Sequence, residues 1–94
     1  MGRRRFDHLV IELSLALGLS VPRYRLWLRL HEEGFDPERL VLSQVLAFCA
    51  DPLELFLEEL GLELRPRRLR RLRRAVERFD PEVLSPYERI AESG

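Results

Sequence analysis

The stretch RPRRLRRLRRAVERF, from Arg65 to Phe79, holds eight arginines and one glutamate. A guanidinium is a permanent cation with a planar fork of donors that matches phosphate and carboxylate oxygens. Its chemistry is anion recognition rather than proton transfer. On a wheel of ~3.6 residues per turn, Leu69, Leu72, Ala75, Val76 and Phe79 share one side of a helix. Arg67, Arg70, Arg71, Arg74 and Arg78 fall opposite, and Arg68 and Arg73 flank the apolar stripe. The stripe fixes the orientation, so these five arginines are the predicted partner- or phosphate-binding residues. Their repulsion at spacings of three and four is opposed by the favourable spacing of Arg73 with Glu77. All sixteen basic residues are arginine, and lysine, threonine and asparagine are absent. The choice of arginine at any one position therefore says little about the anion. The same bias predicts a high-GC, thermophilic bacterial proteome, with few thermolabile amides.

Other reactive side chains are sparse. His8 and Glu12 stand four apart, and His31 precedes Glu32. Neither pair supplies the three or four ligands a metal site usually needs. Cys49 lies in the apolar run LAFCA and reads as a buried small hydrophobe. No glycine-rich phosphate loop, paired cysteines or nucleophile–base pair is visible. The expectation is no catalysis, no cofactor and no metal.

The net charge is zero but comes in blocks. Residues 1–30 sum to +4, 31–64 to −8, 65–78 to +7 and 79–94 to −3. Blocks that cancel overall are suited to meeting each other, within a chain or between chains. A nucleic-acid-binding domain is usually basic as a whole. The segment closest to a helix-turn-helix, LSQVLAFCADPLELFLEELG (Leu42–Gly61), carries Glu54, Glu58 and Glu59 on its second helix with no cation. It would repel the phosphates it must approach. The reading is therefore a protein–protein interaction module, with nucleic-acid binding through the arginine-rich helix 66–78 as the alternative.

Elements must position these charges. Leucine supplies twenty residues and β-branched types only eight, a helix-forming mixture. ELSLALGLSV and RLWLRLH alternate like strands, but their alternating residues are leucines and helix punctuation surrounds both. Asp7 is placed to cap a first helix ending at Gly18. Ser20 and Pro22 open a second, ending at Gly34. Asp36-Pro37-Glu38 opens a short turn, Ser43 caps QVLAFCA, and Asp51-Pro52 starts a helix ending at Gly61. Pro66 starts the arginine helix, and Ser85-Pro86-Tyr87-Glu88 is a capping box for a last short one. The predicted fold is all-α, a small bundle of about five to six helices in one domain, with residues 1–5 as a flexible basic tail.

Two further patterns bear on assembly. With an offset of 44, ten residues from Pro22 to Leu40 meet identical residues from Pro66 to Leu84, and Leu-Gly-Leu recurs at Leu17 and Leu60. A duplication spanning 17–43 and 60–85 would give two pseudo-symmetric helical hairpins; a small alphabet with a common cap used twice gives the same matches. Helix one is apolar nearly all round, and helix two leaves only a strip of Arg25, Arg29, Glu32 and Glu33 polar. Such helices demand burial on most of their circumference. The expectation is a homodimer whose interface uses Tyr24, Trp27, Leu26 and Leu30, with the aromatics as anchors. The apolar segment Leu9–Val21 contains Glu12 and is shorter than the ~20 residues of a membrane span. With a single cysteine, a reducing cytoplasm fits.

Overall fold

The structure, a computed structural model, describes residues 3–82. Five α-helices and one 3-10 turn are joined by short connections, and no strand occurs among the described residues. The helices are α1 (Arg3–Leu17), α2 (Arg23–Glu32), α3 (Leu42–Ala50), α4 (Pro52–Glu59) and α5 (Pro66–Arg78), with the 3-10 turn at Pro37–Arg39 between α2 and α3. The all-α expectation holds. The last short helix expected after Ser85 lies outside the described residues.

The alternating leucines are helical because helical spacing, not alternation, decides what is buried. In α1 the core side is Phe6, Leu9 and Leu13, positions three and four apart. Leu15 belongs to the alternating run, yet it is 68% exposed on the opposite face. α1 is the central element. It packs against α5, the 3-10 turn, α2 and α3, while α3 also packs against α4 and α5. Phe48 and Phe56 fill the middle, with Leu26, Leu30, Leu53, Leu72 and Val76 around them.

Three helices end in the same way. Gly18, Gly34 and Gly61 have φ of 73°, 88° and 72°. The amide beyond each glycine donates to the carbonyl five residues back: Leu19 to Ser14, Phe35 to Leu30 and Leu62 to Leu57. This is the Schellman closure, which satisfies a free helix-end carbonyl at the cost of a left-handed residue. The starts agree less well with the sequence expectations. α1 begins at Arg3, so Asp7 lies inside the helix and pairs with Arg23 instead of capping. Arg3, Arg4 and Arg5 are helical rather than a tail, held because Arg4 Nη1 donates to the Pro81 carbonyl at 2.7 Å and Arg5 sits over the Phe79 ring. α2 starts after Pro22 with no side-chain cap, and Ser20 plays no part. α3 starts one residue before Ser43, and Gln44 Oε1 accepts the Val41 amide at 3.2 Å in its place. Asp36 behaves as expected, its Oδ1 accepting the Glu38 amide.

Within the described residues, the two segments of the internal echo share turn geometry but not packing. Gly18 and Gly61 make the same closure. Asp80 repeats the Asp36 contact, its Oδ1 accepting the Glu82 amide at 2.9 Å. The helices between do not match. α2 buries Leu26 and Leu30, and the equivalent positions of α5 are Arg70 and Arg74, both exposed. α5 buries Leu72 and Val76 instead. Nor does α5 fold back on α4 as a hairpin; it lies against α1 and α3.

Candidate interaction surface

α5 is amphipathic as its spacing predicts. Leu72 and Val76 are buried, Leu69, Ala75 and Phe79 half-buried. Arg67, Arg70, Arg71, Arg74 and Arg78 are all exposed. None of these five is in an ion pair among the described residues. The expected Arg73–Glu77 pair is not made either. An arginine four residues before a glutamate is the weaker order on a helix, because it works against the helix dipole.

The two flanking arginines have separate surroundings. Arg68 reaches back to α1, where its Nη1 donates to the Ala16 carbonyl at 2.8 Å. A cation there satisfies a C-terminal carbonyl and meets the negative end of the helix dipole. This second task for an arginine left no signature in the spacing. Arg73 stands on the other flank, near Cys49. Burial pushes the Cys49 thiol up to about 11, against a smaller opposing pull from Arg73. Cys49 is buried and protonated at neutral pH, consistent with a packing role.

Beside that flank lies a groove of about 530 Å³. Its floor is Cys49, Leu53, Leu57, Leu62 and Leu69, and α4 and the linker bring Glu54, Glu58 and Glu63 to its walls. These three carboxylates are exposed and, like the arginines, make no ion pair among the described residues. Glu59 is different. It faces away and pairs with Arg29 at 3.0 Å, tying α4 to α2. Arg29 also approaches Glu32 and Glu33 at 3.8 and 3.5 Å. The polar strip expected on α2 is thus partly an internal tether. The α3–α4 pair is joined at Asp51 alone, without the 3–4-residue turn of a helix-turn-helix.

The four residues expected at a dimer interface are dispersed. Leu26 and Leu30 are 0% exposed inside the chain's own core, so a second copy has no access to them. They form the ridge on which α2 is seated, and one chain meets the burial that the sequence reading assigned to two. Trp27 is half-buried and stacks on His31, with centroids 5.4 Å apart. Tyr24 is 70% exposed. The exposed apolar residues that sequence reasoning missed include Ile11 and Leu15 on α1, Leu19 just beyond it, Val41 before α3 and Leu55 on α4. A helix apolar all round reads from sequence as fully buried, whereas α1 leaves one face out.

His8 is half-buried, stacked on Phe79 at 4.1 Å and 3.5 Å from Glu12. Burial holds its pKa below the usual 6.5; Glu12 raises it in part and Arg5 lowers it again. Among the described residues, no three His, Cys, Asp or Glu side chains are grouped so as to hold a metal ion. None of their helices is long and apolar enough to cross a membrane. No protein-family model, curated protein or solved structure matches the chain.

Proposed function

We propose that this protein is a macromolecule-binding module whose partner is protein, that it works as a homodimer, and that it performs no catalysis. One observation carries the reading: five arginines on one exposed helix face have no ion-pair partner among the described residues, and they lie near an apolar groove whose wall glutamates have none there either. Arginines three and four apart repel, by about 0.2–0.5 kcal/mol per pair in isolated helices. A strip without internal compensation among the described residues is suited to an anionic surface outside the chain. Nucleic acid is the competing source of that anion. The zero net charge disfavours it, since nucleic-acid-binding domains are usually basic as a whole, and a polyanion on the Arg70 side of α5 would also approach Glu54 and Glu58.

Fluorescence anisotropy with labelled duplex DNA, single-stranded DNA and structured RNA tests the choice. The expected result is no binding at physiological salt, and at most weak binding at low salt. Phosphate contacts give affinity that falls steeply with salt. Binding that persists at physiological salt and is lost in Arg70→Glu/Arg74→Glu would overturn the reading and make α5 a phosphate-binding face.

A further inference from the structure

We propose that the partner seated on the groove is a second copy of this chain, joined about a twofold axis. The Arg70–Arg73 flank of each α5 then lies against the Glu54–Glu58 wall of the other copy's groove. The inference rests on the protein-partner reading above and names its interface.

The surface carries both signs in adjacent halves. Glu54 and Glu58 wall the groove from α4, and Leu69 marks where α5 borders it. On the α5 wheel, Arg73 and Arg70 follow Leu69 on that same side, with Glu77 between them in angle but one turn nearer the helix end, while Arg71 and Arg78 lie on the opposite flank, towards Arg68 and α1. Neither half is neutralised within the chain among the described residues.

A partner of single sign is a poor fit. An acidic one would meet the glutamates, and a basic one the arginines. A partner with both signs at the right spacing fits, and this chain is such a partner. In a twofold contact, residue i meets j and j meets i, so one rotation brings acid onto base twice. The spacings agree: Glu54 and Glu58 are about 6 Å apart along α4, and Arg70 and Arg73 about 4.5 Å along α5. The net charge of zero means that no overall repulsion opposes two copies. The leucines of the groove floor supply apolar surface for the pairing to cover, while the charges set register.

Sedimentation equilibrium on the full chain tests this, with circular dichroism confirming that each variant is folded. The wild type is expected to dimerise, more weakly as salt rises. Arg70→Glu/Arg73→Glu and Glu54→Arg/Glu58→Arg are each expected to be monomeric. Mixed in equal amounts, these two variants are expected to form a one-to-one heterodimer, since each now presents what the other lacks. Arg25→Glu/Arg39→Glu makes the same change in net charge at two exposed arginines away from both α5 and the groove and should still dimerise. A wild-type dimer indifferent to both groove variants would overturn this interface while leaving the homodimer standing. A wild type that stays monomeric at low salt and high concentration would overturn the interface and the homodimer together. Loss of the dimer in the Arg25→Glu/Arg39→Glu control would show that net charge, not this pairing, governs association, and would also overturn the interface.

Discussion

At the scale of the residue, His8 shows how a side chain with no catalytic setting still reports on the fold. Its ring lies against Phe79, and burial there holds its pKa below 6.5. The unfolded chain takes up a proton at about the ordinary value for His, near 6.5; the folded chain resists. The neutral form is therefore favoured by folding, and the contribution to stability is fully present above 6.5. It is lost progressively as the pH falls through 6.5 towards the lowered folded value. Urea melts across this range should show that loss, and His8→Phe, which keeps an aromatic ring against Phe79 without a titrating group, should remove it. The sequence gives His8 and Glu12 the right spacing to meet. It cannot give the stack, because Phe79 is seventy-one positions away and arrives only through the packing of α5 on α1. Arg68 is similar. The wheel leaves it on a flank, and the Ala16 carbonyl that receives it is fifty-two positions distant.

At the scale of the element, stops were easier to read than starts. Glycine is the residue suited to the left-handed position, so Gly18, Gly34 and Gly61 marked three helix ends from sequence. Starts admit several solutions: the structure uses a proline and a glutamine where Ser20 and Ser43 were expected, and α1 begins at Arg3, ahead of Asp7. The dependence on glycine is testable at Gly61. A Cβ there would meet nothing within 4 Å, so any cost of substitution comes from the backbone alone. Gly61→Ala should lower stability by about 1–2 kcal/mol, the cost of a left-handed conformation for an L-residue, read as a shift in urea midpoint. Gly61→Asn should cost less, because asparagine tolerates that region. Which face a helix buries was legible for α5, whose leucine stripe stands out among arginines. It was not legible for α1, where leucine, isoleucine and valine occupy every side and only the tertiary fold selects Phe6, Leu9 and Leu13.

At the scale of the whole molecule, the charge blocks decide how the fold responds to its solvent. From sequence, a zero sum made of +7 and −8 blocks allowed pairing inside the chain or between chains. The structure keeps the α5 arginines and the groove glutamates out of internal ion pairs among the described residues, while Arg29 and Glu59 make one elsewhere. Repulsion within each block is then a standing cost to the folded single chain, and salt relieves it. The Debye length falls from ~30 Å at 0.01 M salt to ~8 Å at physiological ionic strength, which screens charges two or more turns apart in a block and weakens the repulsion between nearer ones. For chain dilute enough to be monomeric, thermal unfolding followed by circular dichroism should therefore show a melting temperature that rises from low to physiological salt. Association of two copies through these same blocks should weaken over the same range. Opposite signs in the two measurements are what unpaired blocks require. A melting temperature that falls with salt in dilute solution would mean that the blocks attract within one chain, and the surface assigned to a partner would already be occupied.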